Sequence, residues 1–151
     1  MLPIALALLV VAVLVGEVWA AQNPSTKRVS VDSHGAQDNG QSLKPAISAN
    51  GRFVAFDSSA SNLVAGDTNA AADVFVRDRK TGKTRRVSVD SHGAQGNGAT
   101  FLPAISADGR FVAFDSSASN LVAGDTNAVS DVFVRDRKTG KTRRVSVDSH
   151  G

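Results

Sequence analysis

A chain of 151 residues with no cysteine cannot rest on a disulfide framework or work through a thiolate, so its stability has to come from packing alone. The formal charge of +3, with 21% charged residues, leaves it only modestly basic.

From the N-terminus, residues 2–15 are a continuous apolar run of the length of a signal-peptide core, too short to span a membrane comfortably. Small residues follow at Val18 and Ala20, which fits cleavage after Ala20, or after Ala21 as a second choice. Residues 1–20 are therefore read as a signal peptide and 21–25 as a short linker. An uncleaved anchor is the competing reading, because no Lys or Arg follows Met1. Either way the rest of the chain is expected to be extracytoplasmic: periplasmic, secreted or on the cell surface. Removing 1–20 also removes Glu17, the only glutamate, and raises the formal charge to +4.

The remainder, 26–151, is a tandem repeat. Thr26 recurs as Thr84 and again as Thr142, a period of 58 residues, and units 26–83 and 84–141 are identical at 49 of 58 positions. A third unit starts at Thr142 and runs to Gly151. Within each unit, Asn50-Gly51 and Asp108-Gly109 offer residues that tolerate positive φ between two extended runs, a hairpin signal. After the turn, Phe53, Val54, Ala55 and Phe56 are apolar in succession, so both faces of that strand need cover.

Four short strands are predicted per unit, in the second at 102–106, 110–116, 131–137 and 142–148. The first is built of small residues, the second is apolar on both faces, the third mixes Val132, Phe133 and Val134 with Arg135, and the fourth alternates Val145 and Val147 with polar neighbours. This gradient suits a propeller blade, whose inner strand crowds an axis and whose outer strand meets solvent. The predicted fold is all-β: a partial β-propeller of two four-stranded antiparallel blades plus an extra outer strand at 26–33. Two tandem sandwiches are the poorer alternative, since four strands are too thin to enclose a core. Closed propellers need at least about four blades. The chain is accordingly expected to be a segment of a longer propeller or to complete its ring by self-association.

The run P-A-I-S-A-D-G-R-F-V-A-F at 103–114, followed by D-V-F-V-R-D-R-K-T-G-K-T at 131–142, resembles the WD-like propeller repeats of the TolB-like family. That resemblance covers 26–151 and implies an exported bacterial β-propeller that serves protein binding. The long inserts at 58–72 and 116–130 depart from the usual unit.

In a four-strand meander, these inserts and the connections at 34–44 and 92–102 emerge on one face, with the tight turns on the other. Seven of the nine differing positions lie on that long-loop face: Asp38, Gln41, Ser42, Leu43, Lys44, Ala71 and Ala72. Asp38, Gln41, Lys44, Asn62, Asn97, Thr100 and Asn120 are the candidate ligand-binding residues there. Asp67, Asn69 and Asp73, with copies Asp125, Asn127 and Asp131, are the candidate cation ligands, calcium being the metal considered. Asx-type turns that lead into the third strand explain the same residues, and this reading, without a cofactor, is preferred.

Asp32-Ser33-His34 and its copies Asp90-Ser91-His92 and Asp148-Ser149-His150 are adjacent in sequence, so they cannot converge as a catalytic triad and are read as polar turns. No catalytic residue is predicted. The glycines of 93–98 lack phosphate-loop spacing. Arg77, Arg79, Lys80, Lys83, Arg85 and Arg86 form a basic hairpin without interleaved aromatics, read as a solvated rim rather than a nucleic-acid site. The functional expectation is a non-catalytic extracytoplasmic scaffold for a protein partner or extracellular ligand, with no membrane span after signal cleavage. The alternatives are the propeller part of a larger exported enzyme, such as a peptidase, or a calcium- or carbohydrate-binding propeller.

Overall fold

The structure, a computed structural model, describes residues 25–149. The expected signal segment, the linker up to residue 24, and residues 150–151 lie outside this range.

Eight strands follow in order: β1 (Ser42–Ile47), β2 (Phe53–Ser58), β3 (Asp73–Asp78), β4 (Lys83–Arg86), β5 (Thr100–Ile105), β6 (Phe111–Ser116), β7 (Asp131–Asp136) and β8 (Lys141–Arg144). They form two antiparallel meanders, β1-β2-β3-β4 and β5-β6-β7-β8, so the repeat unit and the sheet coincide. Each is a propeller blade, and β5 packs across β1, β2 and β3 of the blade before it.

The tight turn forms as its residues dictate. Gly51 adopts φ 68° and its N–H donates to the Ser48 carbonyl, while the Asn50 side chain accepts from the Arg52 N–H. Downstream, Val54, Ala55 and Phe56 are all buried, as a strand covered on both faces requires.

The main core lies between the blades. Ala55, Val74, Val76 and Val87 of the first meet Val112, Phe114, Ala118, Leu121 and Phe133 of the second. Phe114 and Phe133 stack with ring centroids 6.0 Å apart. At the tight-turn end of the junction, the backbone of Gly109 lies against the Phe53 ring. A Cβ on Gly109 would fall 2.1 Å from that ring, and its φ of +73° already favours glycine, so this contact admits no side chain. Arg137 covers the Phe53 ring at 4.3 Å to its centroid, and Arg52 lies 4.7 Å from the same centroid.

Two predicted boundaries move by more than one residue, each for a visible reason. The first strand of the second unit starts at Thr100 instead of 102, because the ladder continues through a bulge between Phe101 and Ala104. Leu102 takes φ 53° before Pro103, and its N–H donates across the junction to Asp57 at 3.3 Å. The fourth strands end early: Ser88 Oγ, rather than a backbone carbonyl, accepts the Val74 N–H and itself donates to Asp73.

The segment 26–33 forms no ladder strand, and Val31 makes only an isolated bridge with Gln37. It is instead strapped to β4 by side chains. Thr84 Oγ1 donates to the Val31 carbonyl at 2.5 Å, and the Thr84 N–H donates to Ser33 Oγ at 3.1 Å. Val89, Ser91 and Thr142 repeat the strap on β8.

Candidate functional site

The long loops share one face, and asparagines stitch them together. Asn62 Oδ1 accepts the Asn39 N–H at 3.0 Å while its Nδ2 donates to the Gln37 carbonyl, and Asn39 Oδ1 accepts the Ser61 N–H. Asn97, Ser119, Asn120 and Gln95 repeat the pattern in the second blade. The approach is close enough that a Cβ on Gly98 would lie 2.8 Å from the Ala118 nitrogen, so a glycine stands there for contact, not for mobility. Each insert also tucks one leucine inside: Leu63 with Ala60 packs on Phe56 and Phe75, and Leu121 joins the junction core. These loops therefore form a built surface.

On that surface Gln41, Lys44, Asn62, Asn97 and Asn120 are exposed and Asp38 is half-buried, accepting a 2.5 Å hydrogen bond from Ser42 Oγ. Thr100 differs: it is fully buried, its hydroxyl 2.9 Å from that of Ser116, and it cannot reach a ligand at the surface. The sequence reading missed the exposed apolar residues beside them, Leu43, Phe101, Leu102 and Val129. Their signal was present, since all four occupy positions at which the two units differ.

The carboxylates considered for a cation are gathered around an arginine. Arg86 Nη1 lies 3.1 Å from both Asp67 Oδ1 and Asp73 Oδ2, and Asn69 Nδ2 donates to Asp73 at 3.1 Å and to the Gly96 carbonyl at 2.9 Å. Burial raises the Asp67 carboxyl above its usual range, with the Asp73 charge adding to the effect. In the second blade Arg144 pairs with Asp125 at 3.1 Å and Asp131 at 3.4 Å, and Asn127 donates to Asp131 at 2.9 Å. The Ser146 hydroxyl, then Asn127, hold the Asp131 carboxyl below its usual range. Among the described residues no three His, Cys, Asp or Glu side chains converge as a metal site.

Beside each strap lies a cleft, of ≈ 340 Å³ at Asp32, His34, Asn62 and Thr84 and of ≈ 400 Å³ at the equivalent residues of the second blade. Asp32 Oδ1 accepts the N–H groups of His34 and Ala36, each at 2.8 Å, so the carboxylate shapes its own turn. Ser33 Oγ donates to the Thr84 carbonyl and the His34 side chain is 91% exposed, so the adjacent trio forms no relay.

On the tight-turn face, Arg52 grips Asp78 through Nε at 3.0 Å and Nη2 at 2.8 Å, and Arg110 grips Asp136 likewise. The arginine holds each carboxyl well below the usual carboxylate range. A lowered folded-state value means that the stabilisation is complete above the ordinary aspartate pKa of about 4 and is lost as pH falls through the folded-state value. The expected result in thermal melts is a steep acid loss of stability beginning below about pH 4. An Asp78→Asn, Asp136→Asn double variant should melt lower at neutral pH and show a shallower acid limb. An unchanged limb would assign the acid sensitivity elsewhere.

The stacked meanders define the class: this is a pair of β-propeller blades. No protein-family model matches the chain, and no curated protein does. Among solved structures it is similar to TolB from Acinetobacter baumannii, at 22% identity over 76% of this chain and 23% of that one, with a TM-score of 0.45. It is also similar to a putative TolB from Agrobacterium tumefaciens, at 17% identity over 72% of this chain and 31% of that one, with a TM-score of 0.49. A third such structure is the acylaminoacyl peptidase of Pyrococcus horikoshii, at 18% identity over 70% of this chain and 14% of that one, with a TM-score of 0.44. The chain thus spans less than a third of the length of each. No helix among the described residues is long and apolar enough to cross a membrane.

Proposed function

We propose that the chain is an extracytoplasmic, non-catalytic propeller scaffold that binds a protein partner through the inner rim of its long-loop face. The observation that carries this reading is the placement of the differences between two nearly identical blades. They turn Lys44 and Leu43 of the first rim into Leu102 and Phe101 of the second, all exposed, beside loops held rigid by paired asparagines. A rigid rim with a cationic and polar half and an apolar half suits a protein segment with an apolar anchor and an acidic flank. The location outside the cytoplasm is supported by the apolar run at 2–15 followed by small residues.

The test is capture of partners from the host's extracytoplasmic fraction on the chain and on a Lys44→Glu, Phe101→Ser, Leu102→Ser variant, followed by titration of the purified partner. A partner that binds the parent and loses at least about tenfold in affinity on the variant, roughly 1.4 kcal/mol, supports the reading. A partner indifferent to these substitutions would overturn it.

A further inference from the structure

The two blades carry the same rear face in different states. In the first, Ala55, Val74, Val76 and Val87 are buried under the second blade. One repeat later, Val132 is 43% exposed and Val145 49% exposed, and Val145 with Phe111 and Val134 borders an open cleft of ≈ 570 Å³. This surface is apolar, contiguous and uncovered.

The internal junction specifies what fits it. Phe53 is closed by Gly109 and by Arg137 from the following blade, whereas its equivalent Phe111 has, among the described residues, only its own Arg110 over the ring at 4.7 Å. Asp57 receives the Leu102 N–H across the junction. Its equivalent Asp115 keeps a buried carboxylate oxygen, Oδ1, with no hydrogen-bond partner. A buried acceptor left without a donor is costly, and here it lies where the neighbouring blade's bulge would supply one.

The missing half is present at the other end of the same chain. Gly51 has φ +68°, a Cβ there would meet nothing nearer than its own blade's Arg79 Nη1 at 3.5 Å, and Arg79 is exposed with Nη1 on the Gly51 carbonyl, as Arg137 has Nη1 on that of Gly109. Lys44, at the bulge before Pro45, takes φ 48°, matching the 53° of Leu102. Phe56, Phe75, Ala60 and Leu63 reproduce Phe114, Phe133, Ala118 and Leu121.

We infer that the rear face of the second blade docks the leading face of the first blade of a second copy of this chain, head to tail, in the geometry of the internal junction. The Gly51 backbone and Arg79 of one copy close over Phe111 of the other, and the Lys44 N–H reaches Asp115. Such a contact is heterologous and generates a ring when its rotation closes. The two readings meet only at Lys44, whose side chain belongs to the long-loop rim and whose backbone N–H belongs to this contact, and Val132 and Arg79, which test the docking, lie outside the rim, so the two readings fail separately.

Sedimentation of the mature chain over a wide concentration range tests it, alongside Val132→Glu on the rear face and Arg79→Glu on the leading face. Both positions are exposed in the single chain, and circular dichroism melts check that each variant folds; Val145→Lys replaces Val132→Glu if that variant does not. The expected result is a discrete oligomer for the parent, a monomer for each variant, and a one-to-one dimer, never larger, when the two variants are mixed. A parent that stays monomeric overturns the inference. So does an assembly sensitive to Val132→Glu but indifferent to Arg79→Glu, which would mean that rear faces pair with each other, or an assembly indifferent to both.

Discussion

Replacing Arg86 by methionine is expected to destabilise the protein by about 3–5 kcal/mol, enough to lower its melting temperature by roughly 10–20 °C. The guanidinium is the cation shared by Asp67 and Asp73, whose side chains are 5% and 0% exposed, and neither carboxylate has water to turn to when it is removed. Breaking a buried ion cluster from one side leaves uncompensated charge, and that residue of charge, more than the lost attraction, sets the size of the effect. The deficit should shrink as the pH is lowered towards about 4, because the orphaned Asp67 carboxyl, its folded-state value raised by burial, regains neutrality by taking up a proton that the unfolded chain binds only at lower pH. Arg144→Met in the second blade is an internal control. Arg144 is 22% exposed and one of its two contacts is longer, at 3.4 Å, so its loss should cost about 1–2 kcal/mol. Equal effects in the two blades, measured by denaturant titration, would show that burial does not set the energy of the cluster.

Much of the fold was legible in the sequence because its information is periodic. The 58-residue repeat set the unit, four apolar positions in succession marked β2 and β6 as strands needing cover on both faces, and Asn50-Gly51 placed the turn between them. What was not legible depends on which side chains turn inward to hydrogen-bond. Nothing in an alternating pattern separates Ser88, which ends the β4 ladder by taking the Val74 N–H, from a serine that faces water. The same blindness covers Thr100, chosen for the ligand face yet buried against Ser116. It covers the asparagines too, which looked like ligand contacts and whose side chains stitch one loop to the next. The inserts were read as departures from the family pattern, but Leu63 and Leu121 make each of them part of its blade's core. The exposed rim of Phe101, Leu102 and Val129 could have been found by asking how the differing positions change in chemistry as well as where they fall.

Phe133→Ala should cost about 3–5 kcal/mol, comparable with the whole stability of a marginal domain. The ring is fully buried, stacks on Phe114, and belongs to the cluster that includes Ala55, Val74, Val76 and Val87 of the other blade. Its removal opens a cavity in the packing that joins the two sheets, and the other buried cluster, Phe56, Ala60, Leu63 and Phe75, lies within the first blade and does not bridge the two. Phe111→Ala, one strand away and on the opposite face of the same blade, is the matched comparison. Phe111 is 40% exposed and lies on the uncovered rear face, so in dilute solution its loss should cost under about 1 kcal/mol. Chemical identity, strand type and blade are held constant between the two variants, and what differs is whether another blade covers the ring. Denaturant melts of the pair therefore measure the worth of the blade junction directly. A Phe133→Ala loss no larger than that of Phe111→Ala would mean that each sheet is stable by itself, and the stacking of blades would then contribute shape without stability.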